Sequence, residues 1–146
     1  MPVAPAAVFA VLADPQAYAD WVVGSDSVVR YEGRWPARGA RFHHRVGTWP
    51  VKLRDHTEVL EVEPPRRIVL RANARPLLTA IVELDLEPQP DGGTLVTMEE
   101  TAGDPLSRVF FNPLTAPLIR ARNDVALRRL ESRACAVAAT GEVETT

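Results

Sequence analysis

Cysteine is nearly absent from this sequence, and no disulfide can form within the chain. Cys135 is the only cysteine, a usage that favours a reducing compartment such as the cytoplasm. The three histidines and the cysteine lack the spacing of zinc ligands, so we expect no metal site. The sequence also has no recognisable set of nucleophile, base and orienting residue. We therefore expect no metal and no cofactor.

The chain also lacks an excess of charge and a long hydrophobic run. Its 17 basic and 19 acidic residues give a net charge of −2, a balance with no electrostatic footprint for a nucleic acid or an anionic bilayer. The apolar start MPVAPAAVFAVLADP has no basic residue and is interrupted by Asp14 and Pro15. We expect neither a signal peptide nor membrane insertion, and therefore a cytoplasmic protein.

The apolar content is sufficient for one globular core. Hydrophobic residues make up 46% of the chain and charged residues 25%, close to the averages of globular proteins. A length of 146 residues fits one domain. We predict a single domain over residues 1–146, with residues 140–146 as a frayed polar tail.

Hydrophobic spacing changes twice along the chain. Helical spacing after Pro5 predicts one short helix, and a second should run from Pro15 to about Trp21. Runs of β-branched and aromatic residues, separated by turn residues, then predict six antiparallel strands. These strands are expected at 28–35, 40–49, 51–63, 66–74, 77–87 and 94–101. Apolar residues change phase inside the third strand, which predicts a bulge or bend there.

The last predicted element is a long helix, in which apolar residues keep helical spacing to about Ala139. Pro113 and Pro117 interrupt the segment before it, and its apolar side chains, such as Phe110, suit a movable gate. One stripe of the helix contains Ile119, Asn123, Ala126, Leu127, Leu130, Ala134 and Val137. Asn123 is polar on this stripe, and a buried amide needs a partner. The partner is either a group inside a cavity, including an ordered water, or a strand carbonyl or loop.

Two short helices, six antiparallel strands and one long helix indicate an α+β layout. This order, with the segments APAAVFAVLADPQAYADWV, EVEPPRRIVLRA, DGGTLVTMEET and RNDVALRRLES, resembles the START-related helix-grip (SRPBCC) superfamily. The closest likeness is to its polyketide cyclase/dehydrase and lipid-transport branch, found in many bacterial proteins, and covers roughly residues 3–134. The resemblance implies a curved antiparallel sheet of about six to seven strands wrapped around a long C-terminal helix. It also implies an internal cavity for an apolar or aromatic small molecule.

The start of the chain departs from that family's pattern. Relatives open with a full strand, whereas only Met1, Pro2 and Val3 precede the first helix here. Either the true start lies upstream or the first strand is vestigial and truncated. If it is absent, strand 94–101 should be an uncovered edge that can pair with another chain. A monomer and a homodimer both remain open.

Candidate ligand-binding residues are those whose phase or position suits such a cavity. They are Tyr31, His44, Trp49, Asn73, Val82, Met98, Glu100, Phe110, Ile119, Asn123 and Leu127. His44 shares the phase of Phe42 and is a candidate hydrogen-bond donor or base, and Glu100 shares the phase of Met98. The rings of Tyr31 and Trp49 could stack on a flat ligand, with Trp49 beside a possible entrance.

Each polar candidate also has an ordinary structural interpretation. The alternative for His44 is a histidine at the core edge that a neighbour satisfies. The alternative for Glu100 is an exposed or paired glutamate at a strand end. Asn73 could anchor a carbonyl, and its alternative is a position facing solvent on the convex side of the sheet.

Two main functions follow from these expectations. The first is binding or transport of an apolar or aromatic small molecule, lipid or polyketide-like, in an internal cavity. The alternative is an enzyme of the polyketide cyclase/dehydratase type, which would need His44 and Glu100 to converge on that cavity. A third hypothesis is a protein-interaction domain that uses the arginine-rich outer face of the last helix or the open sheet edge.

Overall fold

The computed structural model describes residues 1–23, 25–46, 53–74 and 78–141. These residues form one antiparallel sheet, with three helices packed on its inner face. The elements are α1 (Pro5–Leu12), α2 (Tyr18–Trp21), β1 (Ser25–Glu32), β2 (Arg41–Val46), β3 (Leu53–Glu63), β4 (Arg67–Ala74), β5 (Leu78–Pro88), β6 (Thr94–Ala102) and α3 (Ala116–Thr140). The strands pair in chain order from β1 to β6. The predicted α+β helix-grip fold is confirmed.

The two N-terminal helices are punctuated by proline and aspartate. Pro5 occupies the start of α1, where its missing N–H costs nothing. The carboxylate of Asp14 then accepts a hydrogen bond from the Gln16 backbone N–H at 2.9 Å and caps the turn that leads into α2. This turn positions Tyr18 and Trp21, the two buried aromatic residues of α2, against the sheet.

The predicted irregularity in the third strand is a β-bulge. Pairing between β3 and β4 shifts register between Val59 and Glu61, so the residue between them has no direct partner. Val59 and Val62 both pack into the core although they are three residues apart. An unbroken strand would place them on opposite faces, and the bulge allows both to point inward.

The start of β6 is covered by the first residue of the chain. Met1 and Thr94 exchange two backbone hydrogen bonds, of 2.8 and 2.9 Å. Gly93 permits this crossing, because a Cβ there would lie 2.7 Å from the Met1 carbonyl oxygen. Beyond Thr94, no strand within the described ranges pairs with the outer edge of β6, and Leu95 is half exposed.

The core lies between the sheet and α3. The predicted stripe of α3 faces it: Ala126, Leu130 and Ala134 are buried, and the other members of the stripe are partly buried. Gly141 ends the helix with a φ of 70°, a left-handed conformation that favours glycine. Among the described residues, no helix has the length and apolar character needed to cross a membrane.

Candidate functional site

The helices and the sheet do not close completely on each other, and a cavity of about 120 Å³ remains between them. Ala72 and Ala80 are direct partners on β4 and β5, and Ala126 of α3 borders the same space. These three short side chains leave a gap where larger residues would complete the core. Most ligand pockets are larger, about 300–1,000 Å³. An engineered cavity of about 150 Å³ holds benzene, so this space suits roughly one ring.

Six of the residues predicted from the sequence border this cavity: His44, Asn73, Val82, Met98, Glu100 and Asn123. They come from β2, β4, β5, β6 and α3, and the sheet curvature brings them together. The inward phase of β6 places Met98 and Glu100 on the same face, as their spacing indicated.

His44 is the buried histidine of the cavity wall. Only 6% of its surface is exposed, and its Nε2 lies 3.2 Å from the Thr57 hydroxyl oxygen. Burial lowers the pKa of His44 from its usual 6.5 to about 4, and repulsion from His56 and His43 adds to this effect. The imidazole is therefore neutral near pH 7, with one ring nitrogen as donor and the other as acceptor.

Aromatic rings surround this histidine. The ring centroid of Tyr18 lies 5.4 Å from that of Trp21 and 5.5 Å from that of His44. Within the described part of the chain, neither Trp21 Nε1 nor His44 Nδ1 has a hydrogen-bond partner, and both atoms are buried. An unpaired buried polar group costs about 1–3 kcal/mol. The cavity wall thus contains a donor and a second ring nitrogen that the described residues leave unsatisfied.

Glu100 and Arg122, which both line the cavity, form an ion pair. The carboxylate of this pair is nearly inaccessible to solvent. The Arg122 guanidinium donates to both carboxylate oxygens of Glu100, and joins β6 to α3. The Glu100 side chain is 4% exposed, whereas that of Arg122 is 41% exposed. Both carboxylate oxygens thus accept a hydrogen bond from Arg122, which uses part of the accepting capacity of Glu100.

An open groove of about 800 Å³ adjoins the cavity. Met98, Glu100 and Asn123 border both spaces. The groove continues between β6 and the segment 111–120 that leads into α3. A molecule with one ring in the cavity could therefore extend outward past Glu100 and Asn123.

The amide of Asn73 is engaged by neighbours although the residue borders the cavity. Its Nδ2 donates to His56 Nε2 at 3.0 Å, and its Oδ1 accepts a hydrogen bond from the Thr79 hydroxyl at 3.1 Å. Both polar groups of the Asn73 side chain are thus already engaged by neighbouring side chains.

Four other predicted residues, all within the described ranges, do not line the cavity. Tyr31 is 41% exposed at the sheet edge, where its hydroxyl accepts from Gln16 Nε2. Phe110 is also 41% exposed, Ile119 borders the outer groove and Leu127 packs against the core. Trp49 lies outside the described residues.

Several cavity residues were not among the candidates, chiefly Tyr18, Trp21, Ala80, Arg122 and Ala126. The aromatic pair of α2, three residues apart, was a usable signal, because such spacing places both rings on one helix face. A second signal was Glu100 itself, since an inward carboxylate requires a nearby cation. No group of three or more potential metal ligands occurs among the described residues.

Comparison with known proteins agrees with this geometry. Residues 1–134 match the family described as polyketide cyclase / dehydrase and lipid transport. No curated protein sequence gives a significant match.

Solved structures of similar fold include protein MLL2253 from Mesorhizobium loti, with 22% identity, a TM-score of 0.64 and coverage of 91% of this chain and 90% of that one. Protein NE0264 from Nitrosomonas europaea has 18% identity, a TM-score of 0.70 and coverage of 95% and 92%. The di-domain ARO/CYC StfQ of the steffimycin biosynthetic pathway has 15% identity and a TM-score of 0.70, over 94% of this chain and 49% of that one. At these identities the likeness establishes the fold.

Proposed function

Because the chain belongs to the polyketide cyclase/dehydrase and lipid transport family, we propose that it binds an apolar or aromatic small molecule between its sheet and α3. The observation that carries this proposal is the space beside Ala72, Ala80 and Ala126. Protein interiors pack as densely as organic crystals, and empty space forfeits dispersion contacts. A guest molecule would restore those contacts.

The size of the space limits the guest. The cavity of about 120 Å³ accommodates about one six-membered ring. A lipid or a polyketide-like chain would have to place one end in the cavity and the remainder in the groove beyond Met98 and Asn123. This supports a small aromatic compound, or a longer molecule with one ring or a short chain at its inner end.

The chemistry of the wall favours a guest with one polar group. Tyr18 and Trp21 offer ring surfaces, while Trp21 Nε1 and His44 Nδ1 have no partner among the described residues. A hydroxyl can donate one hydrogen bond and accept others, so it can pair with an N–H donor and with a ring nitrogen. Phenols combine a single ring with such a hydroxyl.

Enzymatic acid–base chemistry is the alternative function. His44 and Glu100 border the same cavity, as this function requires. The lowered pKa of His44 makes it a weak base, however, and Arg122 occupies both oxygens of Glu100. A turnover assay with a linear polyketide substrate, comparing the wild type with His44→Gln, would test it. A much slower reaction in the variant would favour the enzyme.

The test of binding is titration with toluene, followed by heteronuclear correlation NMR. Saturable shifts should cluster on the indole N–H of Trp21 and the amides of Ala80 and Ala126, which border the cavity. Shifts that never saturate, or that spread over the surface without reaching these groups, would rule out the proposed site. Native mass spectrometry of the purified protein would add a search for a retained small molecule.

A further inference from the structure

Exposed apolar side chains are concentrated in the segment between β6 and the first turn of α3. Five of the eight large apolar side chains that are exposed in the described residues lie there: Leu106, Val109, Phe110, Leu114 and Leu118. Leu114 is 92% exposed and Leu118 is 73% exposed. We call these five residues the apolar patch. Exposed apolar residues usually occur singly, and a contiguous group marks an interaction site.

The backbone of this segment is held in place by its own polar residues. The Ser107 N–H donates to the Asp104 carboxylate at 2.7 Å, and the Ser107 hydroxyl accepts from the Thr79 N–H at 2.7 Å. The Asn112 side-chain oxygen accepts from the Thr115 N–H at 3.1 Å. These bonds fix the turns while the apolar side chains point to solvent. The outward display is therefore a property of the fold.

The charges along this segment have one sign. Between Asp104 and Asp124 the sequence contains no acidic residue and three arginines, Arg108, Arg120 and Arg122. Arg122 is paired with Glu100, whereas Arg108 and Arg120 are exposed and form no ion pair within the described ranges. Glu99 and Glu100 lie on the opposite wall of the outer groove, so the positive charge belongs to the segment 105–123 itself.

The apolar patch is continuous with the proposed binding site. Phe111, Pro113 and Pro117 belong to the same segment and line the outer groove. Across the groove lie Met98 and Glu100, which also border the cavity. An apolar molecule could pass from the patch to the cavity along this groove.

We propose that the apolar patch docks on an anionic lipid membrane. The leucine and phenylalanine side chains enter the interfacial region, and Arg108 and Arg120 lie against the lipid phosphates. A membrane accepts apolar side chains at irregular heights, whereas a protein partner needs a complementary surface. The docking itself is independent of the proposed function, while transfer of a guest from the membrane to the cavity rests on it.

Sedimentation with vesicles tests the apolar contribution. The wild type should bind vesicles of phosphatidylcholine and phosphatidylglycerol at least about tenfold more tightly than phosphatidylcholine alone, and less tightly as salt is raised. Leu114→Ser should weaken binding about tenfold, because a buried leucine side chain is lost. Leu95→Ser, which removes an exposed leucine outside the patch, is the matched control and should bind like the wild type.

Two double arginine variants, one in the patch segment and one outside it, test the contribution of charge. Arg108→Gln/Arg120→Gln should weaken binding to the mixed vesicles by roughly 25-fold, which is about fivefold for each arginine. Arg128→Gln/Arg129→Gln removes two exposed arginines farther along α3 and should retain binding. Equal losses in the two pairs would contradict docking through the patch.

Two further results would overturn the proposal. One is a wild type that sediments with neither vesicle. The other is a wild type that does not bind vesicles but forms a dimer in light scattering, where Leu114→Ser is a monomer. The patch would then contact a second copy of the chain. Ala126→Leu, which changes a buried cavity residue outside the patch, should still bind vesicles. Failure of toluene binding and failure of docking are therefore separate outcomes.

Discussion

The imidazole Nε2 of His44 lies 3.2 Å from the hydroxyl oxygen of Thr57, which in turn lies 3.4 Å from the hydroxyl of Tyr18. Thr57 is fully buried and His44 nearly so. This contact joins β2, β3 and α2 at the cavity wall. Burial at this position lowers the pKa of His44, so the folded protein holds this histidine in the neutral form near pH 7.

Acid should therefore destabilise the protein before most carboxylates titrate. The pKa of His44 is lowered from 6.5 to about 4 by burial. As pH falls from about 6.5 toward 4, the unfolded chain binds a proton that the folded chain cannot, and the free energy of unfolding decreases. Between about pH 7 and about pH 5 the His44 contribution is roughly 2 kcal/mol. Urea denaturation at both values measures it.

The control for this pH dependence is His44→Gln, which keeps a donor for Thr57 but does not titrate. Its free energy of unfolding should change less than that of the wild type over the same interval. Identical changes in the two proteins would show that His44 titrates normally in the folded state.

The ion pair between Glu100 and Arg122 should stabilise the fold more than an ordinary surface pair. Arg122→Met leaves the Glu100 carboxylate, 4% exposed, without its cation. We expect a loss of about 1–3 kcal/mol, because a buried charge without a partner is costly. Arg133→Met, on the same helix, breaks a pair with Asp20 in which both side chains are about half exposed, and should cost at most about 1 kcal/mol. Chemical denaturation of both variants compares the costs, and equal values would contradict this burial argument.

The indole N–H of Trp21, which has no hydrogen-bond partner among the described residues, predicts selectivity for a hydroxyl. The wild type should bind phenol more tightly than toluene, as measured by isothermal titration calorimetry. Trp21→Phe keeps an aromatic ring but removes the N–H donor, and should reduce this preference about tenfold. Trp35→Phe is the control, because Trp35 Nε1 donates to the Leu12 carbonyl at 3.0 Å and the residue does not line the cavity. A preference that Trp21→Phe leaves intact would exclude contact between this donor and the guest.

The fold was predictable because its signals are local. Turn residues and β-branched runs gave strands within a few residues of their observed bounds, such as 66–74 for Arg67–Ala74. The change of phase in β3 was enough to predict the bulge near Val59. The α3 stripe followed from helical spacing alone, including the buried Leu130.

The cavity was predictable only in part, because its shape depends on contacts between distant elements. Strand phase placed Met98 and Glu100 toward the interior, where they lie. Strand phase could not show that Arg122, which lies off the apolar stripe of α3, reaches Glu100. Nor could it show that Ala80 and Ala126 face the same empty space. The positions and number of alanines in a sequence do not indicate whether the core leaves a gap beside them.

The central claim, that the interior gap can hold a guest, is tested most directly by Ala126→Leu. Ala126 is buried and borders the cavity, and Ala121 on the same helix is exposed, so Ala121→Leu is the matched control. We predict that Ala126→Leu weakens toluene binding at least about tenfold while the free energy of unfolding stays equal or rises, because the added isopropyl group fills empty space. The contradicting result is a loss of about 1–3 kcal/mol from overpacking, with toluene binding the same as in Ala121→Leu.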